Sequence, residues 1–250
     1  MNKLTRFSLA VGLLCSTFHV SHAQKWSCTA HIGTTAYIGD VNEGLLWQPN
    51  LNRTAIGASI GYKALDFMTL RLNVLTGQLS GSDAENATTL WRKQRAFSFK
   101  TAFVETAVLT EWNVGRMLLG DWADELPLSA HLVVGVGVSH ITPKVDFNEP
   151  NPISERTRLD KNAVFNRNQV VIPFGLAAKW PINASTAFRV EATMRKTFSD
   201  YFDGVSQAAS AQNNDMYGVL TVAWEQTLSW GLTHSEKLRV VSSGAYCPTF

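Results

Sequence analysis

Eight segments of this chain alternate apolar side chains with polar or very small ones over about ten residues each. The clearest runs from Ala187 to Phe198. There Phe188, Val190, Ala192 and Met194 occupy one parity, and Arg189, Glu191, Thr193, Arg195 and Thr197 the other. A helix, with a period of 3.6, would scatter these residues; a strand, with a period of 2, sorts them onto opposite faces. The segment therefore reads as a β-strand with one apolar wall and one charged wall.

The same pattern recurs over Cys28 to Ile38, Thr54 to Tyr62, Phe67 to Leu79, Phe97 to Asn113, Leu128 to Ile141, Val170 to Trp180 and Tyr217 to Glu225. Long helical periodicity is missing, which predicts an all-β chain. Eight is an even number, and it is the smallest standard strand count of an antiparallel barrel that crosses a membrane. In such a barrel the apolar parity meets lipid and the polar parity lines the inside. No segment after the leader has the ~20 apolar residues of a membrane-spanning helix, so any spanning falls to strands. The expectation is an eight-stranded antiparallel transmembrane (outer-membrane) β-barrel with a periplasmic C-terminal tail. The competing reading is a soluble, secreted sandwich or lipocalin-like barrel.

Connections and aromatics favour the membrane reading. The stretches Gly39 to Arg53, Ser80 to Ala96, Pro143 to Arg167 and Asp200 to Asp215 are long and polar, whereas Lys63 to Asp66 and Pro181 to Ser185 are tight. Long loops on the outside and short turns on the periplasmic side are usual for these barrels. The link from Val114 to Glu125 departs from this by exceeding a turn. If odd strands ascend from the periplasm, Tyr62, Phe67, Trp112, Trp180, Phe188 and Trp224 all fall at one rim, as an interfacial girdle should.

Residues 1–23 read as a cleaved signal peptide. Lys3 and Arg6 give the basic start, Phe7 to Cys15 the apolar core, and Ser21-His22-Ala23 the small-x-small cleavage site. The barrel then covers 24–226, and 227–250 form the tail. The leader takes with it two of the 22 basic residues and none of the 20 acidic ones, so the mature chain is formally neutral. Nothing in that balance points to nucleic acid. Cys28 and Cys247 remain, and an exported chain meets an oxidising compartment, so they are disulfide candidates, within one chain or with a partner. Neither has a second Cys or His at ligand spacing, so no metal and no cofactor are expected.

On the inward parity lie Arg71, Glu105, Glu111, Lys179, Arg189, Glu191 and Arg195. The interior of an eight-stranded barrel is just wide enough for side chains to fill. Charges of both signs there should pair, because an unpaired buried charge is costly. The expectation is an ionic plug; a narrow pore is the alternative. His31 and His131 read as satisfied interior residues. Ser139 and His140 might suggest a nucleophile and base, but adjacent strand residues face opposite ways, so no catalytic site is expected.

Four motifs bring in a family. Tyr37-Ile38-Gly39-Asp40-Val41-Asn42, Leu79-Ser80-Gly81-Ser82-Asp83-Ala84, Ile172-Pro173-Phe174-Gly175 and the block Arg195 to Ser206 occur in order along the chain. Together they resemble the DUF6089 outer-membrane barrel family of Bacteroidetes, which includes PorG of the type IX secretion system. The resemblance implies a non-enzymatic barrel in the bacterial outer membrane. It also implies outer-membrane lipid as surroundings, and as partners a periplasmic secretion-ring lipoprotein and that lipoprotein's own partner. A small pore or transporter, or an adhesin acting through its surface loops, are the other expectations. The tail ends in Tyr246-Cys247-Pro248-Thr249-Phe250, and Pro248 could not sit in a paired central strand. It therefore reads as a folded-back cap or a partner-binding element.

Overall fold

Each alternating run forms a strand. The computed structural model describes residues 26–38, 50–83, 90, 96–147, 155–199, 201–208 and 215–228. Its strands are β1 (Trp26–Ile38), β2 (Arg53–Leu65), β3 (Met68–Ser82), β4 (Ser98–Asn113), β5 (Ser129–Asp146), β6 (Asn168–Asn183), β7 (Thr186–Thr197) and β8 (Met216–Leu228). They pair in chain order and close into one barrel. The closing ladder between β1 and β8 is antiparallel and runs from Trp26↔Leu228 to Ile38↔Met216. Closure removes the sheet edges, which is what lets strands lie in hydrocarbon.

Parity sets the two walls as expected. Ile32, Val136 and Leu176 are 56%, 57% and 63% exposed on the outside, while Arg71, Glu105 and Arg189 are buried inside. Soluble monomers rarely expose so large a contiguous apolar surface; lipid is the medium in which this one is stable. The soluble sandwich is thereby set aside.

Strand ends differ from the expected ones for backbone reasons. β5 continues past Pro143 to Asp146. Pro143 pairs with Thr101 of β4, but the β5–β6 ladder has already ended at His140↔Asn168. The ring nitrogen therefore lies where no second ladder needs a donor. Pro173 is in the middle of β6, and there the β5–β6 ladder skips from Val134↔Phe174 to Gly137↔Val171. β8 runs to Leu228, two residues beyond the expected barrel boundary, and Ser27↔Thr227 belongs to the closing ladder.

Gly33 shows how tightly the seam is drawn. A Cβ there would meet the Leu220 carbonyl oxygen at 2.0 Å, and backbone cannot rotate away. At the end where Trp26 and Leu228 meet, two connections are tight. Lys63 pairs with Asp66 at 3.1 Å across one of them. In the other, Asn183 Oδ1 accepts from the Ser185 N–H at 3.0 Å, an Asx-type turn. The third connection holds α1 (Val114–Leu119), capped by Asn113 Oδ1 accepting from Arg116 N–H, and then a 3-10 helix (Gly120–Glu125).

A second short helix, α2 (Glu155–Lys161), follows β5. At this loop end an apolar cluster including Tyr37, Leu79, Phe99, Phe103 and Tyr217 fills the barrel. Phe202 and Val205, from the β7–β8 connection, are fully buried within that cluster. The connection thus enters the mouth instead of standing clear of it. Gly204 allows this with φ at +81°, a conformation open to glycine at little cost.

Candidate functional site

The lumen is filled in three levels, and its lowest level is ionic. In a ring of eight, β3 faces β7 and β4 faces β8. Arg71 on β3 reaches Glu191 on β7 at 2.6 Å, so a single ion pair spans the interior. Arg189 Nη1 lies 2.8 Å from Glu111 on β4, and its Nη2 lies 2.7 Å from Glu191. Lys179 bridges Glu111 at 3.1 Å and Glu225 at 2.9 Å. His131 Nδ1 lies 2.9 Å from Glu111 Oε1, the oxygen that Lys179 also contacts, while Arg189 takes Oε2. Glu111 is the hub, and Arg189 is wholly buried between two carboxylates.

A second level sits nearer the loop end. Arg195 Nε donates to Glu105 at 3.3 Å, and the Tyr217 hydroxyl donates to the same Glu105 oxygen at 2.6 Å. Glu105 is on β4 and Tyr217 on β8, so this contact also crosses the barrel. Arg195 is held further by the hydroxyl and carbonyl of Thr193. Over the two levels Arg71, Lys179, Arg189 and Arg195 balance Glu105, Glu111, Glu191 and Glu225. That neutrality is the condition for burying so much charge, because each ion taken from water must be compensated by partners and hydrogen bonds.

The third level is the mouth. The Tyr37 hydroxyl lies 2.7 Å from Asp203 Oδ2 and also contacts Asp215 Oδ1. Asp215 Oδ2 accepts the Phe202 N–H at 2.9 Å, and the Thr101 hydroxyl donates to the Phe202 carbonyl at 2.7 Å. From outside, Asp160 of α2 accepts the N–H groups of Gln207 and Ala208 at 3.0 and 2.8 Å. The β5–β6 and β7–β8 connections are thereby tied together over the opening.

All seven expected interior charges point inward and pair. Glu225 joins them, and its inward parity with Ala223 and Thr221 was legible. His131 belongs to the same network, while His31 Nε2 lies 3.0 Å from the Ser59 hydroxyl. Tyr37 and Asp203 lie in two of the quoted motifs, but their contacts, like those of Asp160, cross long stretches of sequence, and no local pattern showed which groups would meet. Ser139 is buried inside and His140 exposed outside, so the two stand on opposite walls.

The aromatic girdle gathers at the end opposite the mouth. Register places Met68 opposite Trp112, Trp180 opposite Phe188, and Phe188 opposite Trp224. Tyr62 packs tilted against Trp26, 5.0 Å between ring centroids, which adds Trp26 to the set. Phe67 sits in the β2–β3 turn at the same end, its carbonyl accepting the Asn113 N–H. Cys28, two residues from Trp26, is exposed on the outer wall; Cys247, its expected partner, lies outside the described residues. So do residues 1–23, expected as a signal peptide, and the expected tail beyond Leu228. Among the described residues no three His, Cys, Asp or Glu side chains cluster as metal ligands, and no helix is long and apolar enough to cross a membrane.

A closed antiparallel barrel with an apolar outer wall, an aromatic rim and an ion-paired interior is a transmembrane β-barrel with a filled lumen. The chain belongs to the family described as "Domain of unknown function (DUF6089)", whose model matches residues 5–234. Among solved structures it is similar to Neisserial surface protein A, at 8% identity and a TM-score of 0.47 over 83% of this chain and 100% of the other. A major outer membrane protein from Thermus thermophilus is similar at 14% identity and 0.45, over 82% and 100%. The N-terminal β-barrel domain of Pseudomonas aeruginosa OprF is similar at 13% and 0.39, over 82% and 99%. No curated protein matches the chain at a significant level.

Proposed function

We propose that this barrel is a non-enzymatic protein of the bacterial outer membrane that acts as a PorG-like structural and docking component of a type IX secretion system. The observation that carries this reading is the filled lumen. With Arg71 meeting Glu191, and Tyr217 meeting Glu105, across the barrel, the interior offers solutes no path and the work falls to the ends. The girdle end is then periplasmic, since the short turns lie there. The chain leaves β8 at that end, at Leu228. A periplasmic ring lipoprotein and its own partner are the binding proteins in this reading.

Affinity isolation of the full chain from native membranes, beside a chain ending at Leu228, tests it. The expected result is recovery of a periplasmic lipoprotein with the full chain and cargo export lost on clean deletion. Normal export in the deletion strain would overturn the secretion role. A small pore is the weaker reading, because it requires both charge levels to part.

A further inference from the structure

The β4–β5 link is unlike the other two connections at the girdle end. It is two consecutive short helices instead of a tight turn, and it exposes large apolar side chains beside three acidic ones, Asp121, Asp124 and Glu125. Met117, Leu118, Leu119 and Trp122 are 57%, 77%, 51% and 74% exposed, and Leu126 and Leu128 continue the patch. Arg116 binds Asp121 at 2.9 Å and Asp124 at 2.5 Å, and its own N–H is taken by Asn113. Ala123, the buried residue of the 3-10 helix, is where a Cβ on Gly115 would pack at 3.5 Å. One guanidinium thus serves two exposed carboxylates on one side of the link, while the large apolar side chains stand outward beside them.

We propose that this link is an interfacial anchor whose Leu118 and Trp122 insert into the lipid leaflet at the girdle end. The lipid-facing wall runs directly into it. Trp112 of the girdle precedes α1, and Leu128 leads into the outward parity of Ala130 and Leu132 on β5. The other connections at this end show the same level: Leu65, Phe67 and Ile182 are exposed apolar residues at the tight turns. Three connections with outward apolar tips, beside a ring of Trp, Tyr and Phe, mark one interfacial plane. Trp favours that plane because its ring is apolar and its N–H can still reach water or headgroups. The glycine at position 120, with φ at +59°, turns the chain between α1, which carries Leu118, and the 3-10 helix, which carries Trp122. The anchor would hold the barrel against rocking in the leaflet, and it stands whether or not a ring partner docks elsewhere on this end.

Spin labels can read the depth directly. Leu118→Cys, Trp122→Cys and, as a polar control, Glu125→Cys are made in the full chain with Cys15→Ser, Cys28→Ser and Cys247→Ser. Each is labelled, refolded into phosphatidylcholine vesicles and checked for heat-dependent gel migration before use. The proposal expects oxygen to relax the labels at 118 and 122 several-fold more than a water-soluble nickel chelate does, with the reverse at 125. Equal access of the chelate to all three positions would overturn it by placing the link in water. Protection of 118 and 122 from both reagents would also overturn it, by showing that protein covers them, either another part of this chain or a second copy.

Discussion

Arg71 and Glu191 meet at 2.6 Å from strands that face each other across the barrel. A contact of that kind cannot form unless the side chains between two opposite walls fill the interior. It ties the fold to the function: the pairs that hold the walls in register also close the path through them.

Removing one member of this level should be costly. Glu191 serves both Arg71 and Arg189, so Glu191→Ala leaves two buried guanidinium groups short of a partner. The expected loss is about 3–5 kcal/mol, the usual cost of orphaning a buried charge. Urea titration of the refolded barrel in vesicles measures it. Adding Arg71→Met to Glu191→Ala should recover part of that loss, and strictly additive losses would contradict the pairing.

The mouth should loosen separately. Tyr37→Phe removes the hydroxyl that contacts Asp203 and Asp215. A hydrogen bond to a charged group contributes about 1.5–3 kcal/mol, so the loss should fall in that range. Limited proteolysis is the sharper readout. Cleavage within 199–208 should become faster while the strands stay protected, and an unchanged cleavage rate would count against a latched mouth.

The seam makes a third expectation. Gly33→Val places a side chain against the Leu220 carbonyl, which cannot move without opening the β1–β8 ladder. The variant should fail to give the heat-sensitive compact species on gels. Gly115→Ala is its control, since the nearest atoms there are at ordinary contact distance, 3.4 and 3.5 Å, and it should fold normally.

Much of this was legible because one rule, parity, governs both walls. Arg189 and Glu191 could be placed inside, and Phe188 and Trp224 at one rim, from alternation alone. Glu225 obeyed the same rule, and Trp26 lay on the outward parity two residues before the expected start of β1. Proline misled at Pro143, since the sequence does not show that the neighbouring ladder has already ended there. The entry of the β7–β8 connection into the mouth was invisible for a different reason. Phe202 meets Thr101 across 101 positions, and no local pattern announces that a polar connection will turn back into its own barrel. Nor does spacing alone show which carboxylate serves which arginine, since Glu111 alone gathers groups from β3, β5, β6 and β7.

Planar-bilayer recording on the purified, refolded full chain tests the filled lumen most directly. The protein should insert, shown by heat-dependent migration of the same preparation, and the bilayer should stay electrically silent. Steady single-channel steps of uniform size from that preparation would contradict the account, because ions would then be passing the plane where Arg71 meets Glu191.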